Sequence, residues 1–194
     1  MGFLSAYQGR TVLVTGDSGF KGSWLCLWLQ RLGAKVVGYA LPPLTDQDNF
    51  VACGLSEEIE HIDGDVRDLA KLKAAFRAHQ PSIAFHLAAQ PLVIASYDDP
   101  VDTFSTNVMG TAHFLECVRL TPSVRAAVNI TTDKVYENLE QLEGFRTTIG
   151  WPSLNALMQS GKMRLSAQSP PPMTLPARAV ATRALSASCM NARR

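Results

Sequence analysis

The chain runs to Arg194, but its last acidic residue is Glu143. All 17 Asp and Glu precede that point, and the remaining stretch holds seven Lys and Arg and five of the 11 prolines. Residues 1–143 carry 11 Lys and Arg against those 17 acids, a formal charge of −6. The whole chain sums to +1, so no global field favours nucleic acid or an acidic partner. Other absences narrow the class further. The four cysteines, Cys26, Cys53, Cys117 and Cys189, form no C-x-x-C pair and no metal-spaced cluster with histidine, so reduced thiols and no metal are expected. No apolar run approaches the roughly 18 residues of a membrane span. The N-terminus lacks the order of basic, apolar and small residues that marks a signal peptide, so a cytoplasmic protein with no membrane partner is expected. The break in composition divides the chain into a domain over 1–143 and a tail over 144–194.

The first segment alternates between two hydrophobic periods. RTVLVT (10–15), KVVGYA (35–40), IEHID (59–63), SIAFHL (82–87) and AAVNI (126–130) read as short strands. FKGSWLCLWLQRL (20–32), LAKLKAAFRAH (69–79) and residues 100–120 read as helices, the first stopped by Gly33. Residues 44–57 are loop-like or weakly helical. Strands joined by helices require right-handed crossovers and a parallel sheet covered on both faces. The fold class is therefore α/β, a doubly wound, Rossmann-like sheet of order 3-2-1-4-5 with its ligand crevice at the strands' carboxyl ends. A sixth strand and its helix are not visible after Glu143. The sheet is read as incomplete, and the tail as poorly ordered or weakly helical.

Gly16, Gly19 and Gly22 sit three apart between the first strand and the first helix. Glycine permits a tight turn, close approach of a pyrophosphate and close packing of helix on strand. The helix N-terminus then offers free N–H groups to the phosphates. This spacing is weak evidence alone and strong at this junction, and it predicts a dinucleotide site. Asp65, after the third strand, can accept the exocyclic amine of adenine; the alternative is an acidic loop before a helix that Asp68 caps. Leu87, Ala88, Ala89 and Gln90 follow the fourth strand, where small side chains leave room for a ribose or simply pack. The second strand ends Gly38-Tyr39-Ala40-Leu41, with neither an acid for a ribose 2′-hydroxyl nor an Arg for a 2′-phosphate, so NAD against NADP stays open there. His61, His79, His86 and His113 show no evident catalytic partner and are read as structural.

TGDSGFKGSWL, HIDGDVRD, FHLAAQPLV, TNVMGT and NITTDKVYEN, in this order, resemble the extended short-chain dehydrogenase/reductases, and within them the CDP-glucose 4,6-dehydratases. The resemblance covers about residues 8–138. It implies NAD as cofactor and CDP-glucose as substrate, dehydrated to a CDP-4-keto-6-deoxy sugar for surface polysaccharides. Phe20 and Val66 join the implied cofactor set with the glycines, Asp65 and residues 87–90. Asn107, inside the long helix, would fix backbone near the active site. Ser96 and Tyr97 would lie on a loop facing nicotinamide and sugar. Thr132 would bond the sugar 4-hydroxyl, Asp133 would protonate the leaving 6-hydroxyl, and Lys134 would assist deprotonation at carbon 5. An acid and a base side by side suit elimination across neighbouring carbons.

The pattern then breaks. The family carries a Tyr-x-x-x-Lys after the fifth strand, the Tyr serving as base for the 4-hydroxyl. Here Tyr7, Tyr39, Tyr97 and Tyr136 have no Lys four residues on. Asp17 stands where the family often has His, which would place a carboxylate near the pyrophosphate and weaken binding. Ile94 replaces a usual Arg and Val135 a usual Cys, and Asn138–Gln141 departs from Asn-Arg-Glu-Trp. An acid-free tail rich in Ala, Pro, Ser and Arg is what a GC-rich gene yields out of frame. The chain is thus expected to be a frameshifted copy, native to about Arg146 and without the sugar-binding domain. Little or no turnover is expected, with self-association through uncovered apolar surface. A nucleotide-sugar epimerase or reductase, or a nucleotide-binding module without catalysis, are the competing readings. Lys134 argues against the former, and the missing Tyr and Lys favour the latter.

Overall fold

A computed structural model describes residues 3–131 and 179–183. A 3-10 turn at Phe3–Ala6 leads into β1 (Thr11–Thr15), α1 (Phe20–Arg31), β2 (Lys35–Ala40), α2 (Asn49–Ala52), α3 (Leu55–Glu58) and β3 (Glu60–Asp63). There follow α4 (Leu69–His79), β4 (Ile83–His86), α5 (Val93–Asp98), α6 (Pro100–Phe104), a π-helical turn (Ser105–Met109), α7 (Gly110–Leu120), β5 (Ala126–Ile130) and β6 (Ala179–Arg183). The sheet order is β3-β2-β1-β4-β5-β6, and every pairing is parallel. The doubly wound arrangement expected from the alternation is therefore the one observed. No helix among the described residues is long and apolar enough to cross a membrane.

β1 sits at the centre because it is apolar on both faces. Val12, Leu13 and Val14 are fully buried, worth about 1.5–3 kcal/mol each. Successive strand residues point to opposite faces, so these three feed two separate cores. Val12 and Val14 pack with Cys26 and Leu29 of α1, Phe50 of α2 and Leu55 of α3. Leu13 packs on the other face with Leu72 and Phe76 of α4 and Phe114 of α7. Local chemistry fixes the helix ends. The Asp68 side chain accepts from Lys71 N at 2.9 Å to start α4. Asp99 does the same for Asp102 N ahead of α6, where Pro100 takes the first helical position. Gly33, at φ +80°, ends the α1 region in the left-handed conformation that glycine tolerates.

The weak helicity expected over residues 44–57 is observed as two one-turn helices, α2 at Asn49–Ala52 and α3 at Leu55–Glu58. Three details differ from expectation. Ser96 and Tyr97 lie on α5 rather than on a loop, because Pro91 and Pro100 bracket a stretch just long enough for one and a half turns. The long helix runs on over 100–120 but its winding changes to a π-helical turn around Asn107. Lastly, Ala179–Arg183 pairs with β5 as a sixth strand, where none was expected. AVATR has only two β-branched residues and no flanking turn signal, so β propensity does not mark it.

Candidate functional site

The loops leaving β1, β2, β3 and β4 converge at the strands' carboxyl ends. They enclose a cleft of about 300 Å³ lined by Gly16, Ser18 and Gly19, by Ala40 to Leu44 and Asp48, by Gly64 and Val66, and by Leu87, Ala88 and Ala89. α1 departs from β1 towards β2, while α5 and α6 depart from β4 towards β5, so the cleft lies at the topological switch point.

The glycines make the cradle by steric exclusion. Gly16 has φ +77°, and a Cβ there would lie 2.6 Å from the Ala88 nitrogen. A Cβ on Gly22 would overlap the Gly16 carbonyl oxygen. Gly19 is less constrained; its Cβ would stand 3.3 Å from the same oxygen. Gly19 is the N-cap of α1 in an extended conformation, and no side chain caps that helix. Among the described residues, the first-turn N–H groups are thus left for a ligand. Ser18 Oγ donates to Leu41 O at 2.8 Å and ties the loop to the end of β2. The Phe20 side chain points elsewhere. It is exposed and lines an apolar trough of about 450 Å³ with Trp24, Trp28, Phe85 and Val128. Only the Phe20 backbone stays with the glycine loop.

Asp65 lies beside the cleft, with its carboxylate engaged. It accepts from Arg67 N at 2.8 Å and from Arg67 Nε, and Arg67 also meets Asp102. The Arg67 side-chain bonds hold the Asp65 carboxyl below the usual carboxylate range. Its backbone carbonyl accepts from the Tyr39 hydroxyl at 3.0 Å. Burial, with Asp68 and Asp65 nearby, pushes that phenol up to about 12. Asp68 caps α4, so the capping role and the Asp65 position are both occupied. Val66 is buried and lines the cleft.

Leu87, Ala88 and Ala89 form the wall beside Gly16. Gln90 is held on every polar atom. Asn107 Oδ1 accepts from Gln90 N at 2.8 Å, and Asn107 Nδ2 donates to Gln90 O at 3.0 Å. The Gln90 side chain donates to Thr103 Oγ1 and Leu92 O and accepts from Leu92 N. Asn107 is 1% exposed and sits in the π-helical turn, where the altered winding turns it toward the β4 loop. Ser96 Oγ bonds Val93 O within α5, and Tyr97 is exposed. Thr132, Asp133 and Lys134 lie outside the described residues, whose first stretch ends at Thr131.

Asp17 corrects an expectation. Its carboxylate does not face the cleft. It is fully buried and turns under Gly38 of β2, where any Cβ would overlap it. There His61 Nδ1 lies 2.6 Å from Asp17 Oδ2, and His61 Nε2 lies 3.1 Å from Asp63 Oδ1. The contact joins residues 44 apart, so no local motif announces it. The other histidines have structural partners. His86 lies between the Thr15 and Thr111 hydroxyls and stacks on Phe114, and His113 Nδ1 meets Val66 O.

The sequence profile of the family described as GDP-mannose 4,6 dehydratase matches residues 13–148. The chain is 50% identical over 140 residues to a CDP-glucose 4,6-dehydratase of Salmonella typhimurium, a match covering 72% of this chain and 39% of that protein. It is 32% identical over 131 residues to a CDP-paratose 2-epimerase of Salmonella typhi, covering 67% and 39%. Among solved structures it resembles a UDP-glucose 4-epimerase from Stenotrophomonas maltophila with bound NAD and formylated UDP-arabinopyranose. That match has TM-score 0.65 at 25% identity and covers 77% of this chain and 45% of the other. The chain spans about two fifths of the length of the curated relatives it matches.

Proposed function

The chain belongs to the nucleotide-sugar epimerase and dehydratase family of extended short-chain dehydrogenase/reductases, and from that premise we propose that its cleft binds NAD and that its activity is dehydration of CDP-glucose. The observation that carries the cofactor reading is the cradle, in which Gly16 and Gly22 let backbone pack where any Cβ would collide with Ala88 N or Gly16 O, beside a helix start with no side-chain cap. NAD is preferred over NADP because, among the described residues, no Lys or Arg lines the cleft. The single charged lining residue among them is Asp48, whose carboxylate is held by Thr45 and Leu44. A 2′-phosphate would meet a negative group there and no cation.

Bound NAD would supply a reversible two-electron acceptor for oxidation at carbon 4 of the sugar and reduction at carbon 6. The side chains have separate tasks. Gly16, Gly19 and Gly22 admit the pyrophosphate, and Leu87, Ala88 and Ala89 wall the cofactor's midsection. Asn107 holds the Gln90 backbone, and Val66 with the Asp65 region borders the adenine. By resemblance, Thr132 bonds the sugar 4-hydroxyl. Asp133 gives a proton to the departing 6-hydroxyl, and Lys134 takes part in removing the proton from carbon 5. Once carbon 4 is a ketone the carbon 5 proton is acidified, so an adjacent acid and base complete the loss of water. No Tyr-x-x-x-Lys occurs in the 194 residues, so the family's usual base for the 4-hydroxyl is not among them. This favours a second reading, a chain that binds the cofactor with little or no turnover. The exposed trough beside Trp24 and Trp28 supports self-association.

Incubation of the purified chain with NAD and CDP-glucose, with calorimetry for binding and mass spectrometry for loss of one water, separates these readings. Binding of NAD, weaker binding of NADP and no loss of water are expected. Loss of water would show that another group serves as base, and absence of NAD binding would overturn the cofactor reading.

A further inference from the structure

Both ring nitrogens of His61 face carboxylate oxygens, Nδ1 toward Asp17 and Nε2 toward Asp63. A neutral imidazole has one donor and one acceptor, so with both carboxylates ionised only the imidazolium satisfies both contacts. Asp17 is fully buried, and its second oxygen, Oδ1, has no hydrogen-bond partner among the described residues. A buried carboxylate without a counter-ion is costly, and His61 is the cation that faces it. The groups around the pair leave it without a substitute. Gly38 of β2, opposite His61 in register, has no side chain. Phe50 of α2 packs its ring on the imidazole, with centroids 4.9 Å apart. Cys26 of α1 is a buried thiol raised by burial and by Asp17. Glu60, next to His61 on β3, faces His79. The hydrogen bond to Asp17 holds the His61 proton more firmly than usual.

Asp17 lies between Gly16 and Ser18, two lining residues of the cleft. We propose that the Asp17–His61–Asp63 cluster anchors the glycine loop from beneath, with charged His61 as positioning residue, so that dinucleotide affinity falls as His61 loses its proton. Deprotonation leaves a ring-nitrogen acceptor against a carboxylate and adds net negative charge beneath the loop that receives the phosphates. By linkage, a bound dinucleotide holds the His61 proton more tightly still. The inference rests on the cofactor reading above.

The test uses the full chain with NAD as probe. Calorimetry follows affinity between pH 6 and pH 9, and NMR follows the His61 ring. Affinity is expected to weaken by about tenfold across that range, one unit of linkage, in step with the His61 titration. Asp17→Asn should lower the titration point of His61 and flatten the affinity profile. His61→Gln should be weak and flat at every pH. If Asp17→Asn fails to fold, the unmodified chain and His61→Gln still decide. Affinity that stays constant while His61 titrates overturns the coupling alone. An unchanged His61 titration in Asp17→Asn overturns the ion pair. No NAD binding at any pH overturns the cofactor reading and this inference with it.

Discussion

The two loops that meet at the cleft, one after β1 and one after β4, are built by opposite means. The loop after β1 works by leaving side chains out, since Gly16 lies against Ala88 N and Gly22 against Gly16 O. The loop after β4 works by adding hydrogen bonds, since Asn107, Thr103 and Leu92 satisfy the polar atoms of Gln90. One wall is therefore vulnerable to an added methyl group and the other to a lost amide. A dinucleotide site needs both, because the phosphates require bare backbone while the nicotinamide end requires a fixed floor.

The largest effect should come from Gly22→Ala. Its Cβ would overlap a backbone oxygen, which cannot swing aside as a side chain can. A stability loss of about 2–4 kcal/mol is expected, with loss of NAD binding. Gly16→Ala should follow closely, since φ +77° disfavours any Cβ and Ala88 N stands 2.6 Å away. Gly19→Ala should be mild, because its Cβ meets its nearest atom at 3.3 Å and its φ is −73°. Thermal melting and calorimetry on the three variants measure this gradient. Equal effects at all three positions would mean that steric exclusion does not set the loop.

Asn107→Ala tests the other wall. It would orphan both backbone groups of Gln90 at a site 1% exposed. About 2–4 kcal/mol is expected, or a fall in melting temperature of about 5–10 °C. Asn107→Asp should lie between, because it keeps the acceptor for Gln90 N and loses the donor to Gln90 O. Hydrogen exchange at the Gln90 amide is the direct readout, and protection unchanged in Asn107→Ala would remove the clamp from the account.

The wall made by omission was legible in the sequence and the wall made by hydrogen bonds was less so. Missing side chains are visible as glycines at a strand-to-helix junction. The five strands and their order follow from two hydrophobic periods, and α4 begins and ends where its spacing places it. Asn107 was marked by resemblance, but its bonds to Gln90 cross 17 residues and depend on a π-helical turn whose winding has no short sequence period. Asp17 and His61 were each visible, and their contact was not. It exists because Gly38 lies between them without a side chain. Phe20 is expected in the cofactor set by resemblance, and its side chain lines the apolar trough, because the turn of α1 carries it past the rim. β6 was missed because Ala179–Arg183 has little β-branched content, and its place in the sheet comes from pairing with β5.

The smallest effect belongs to Arg67, which sits at the edge of the cleft and belongs to neither wall. Its bonds hold the Asp65 carboxyl below the usual range. A depressed carboxylate contributes stability above its unfolded value, near 4, and loses it as pH falls through the lower folded value. Both partners are partly exposed, so solvent screening limits the contribution to about 1 kcal/mol or less. Arg67→Ala should therefore cost little at pH 7 and shrink the stability difference between pH 7 and pH 3, as read by urea denaturation at the two pH values. The same variant separates two roles for Asp65. If that carboxylate borders the adenine, Arg67→Ala frees it and leaves NAD affinity equal or higher, while Asp65→Ala lowers it. If its role is to hold Arg67 against Asp102, both variants change affinity in the same direction and by similar amounts. The second outcome would move the adenine contact to Val66 and the backbone of Gly64, the residues of that loop that line the cleft.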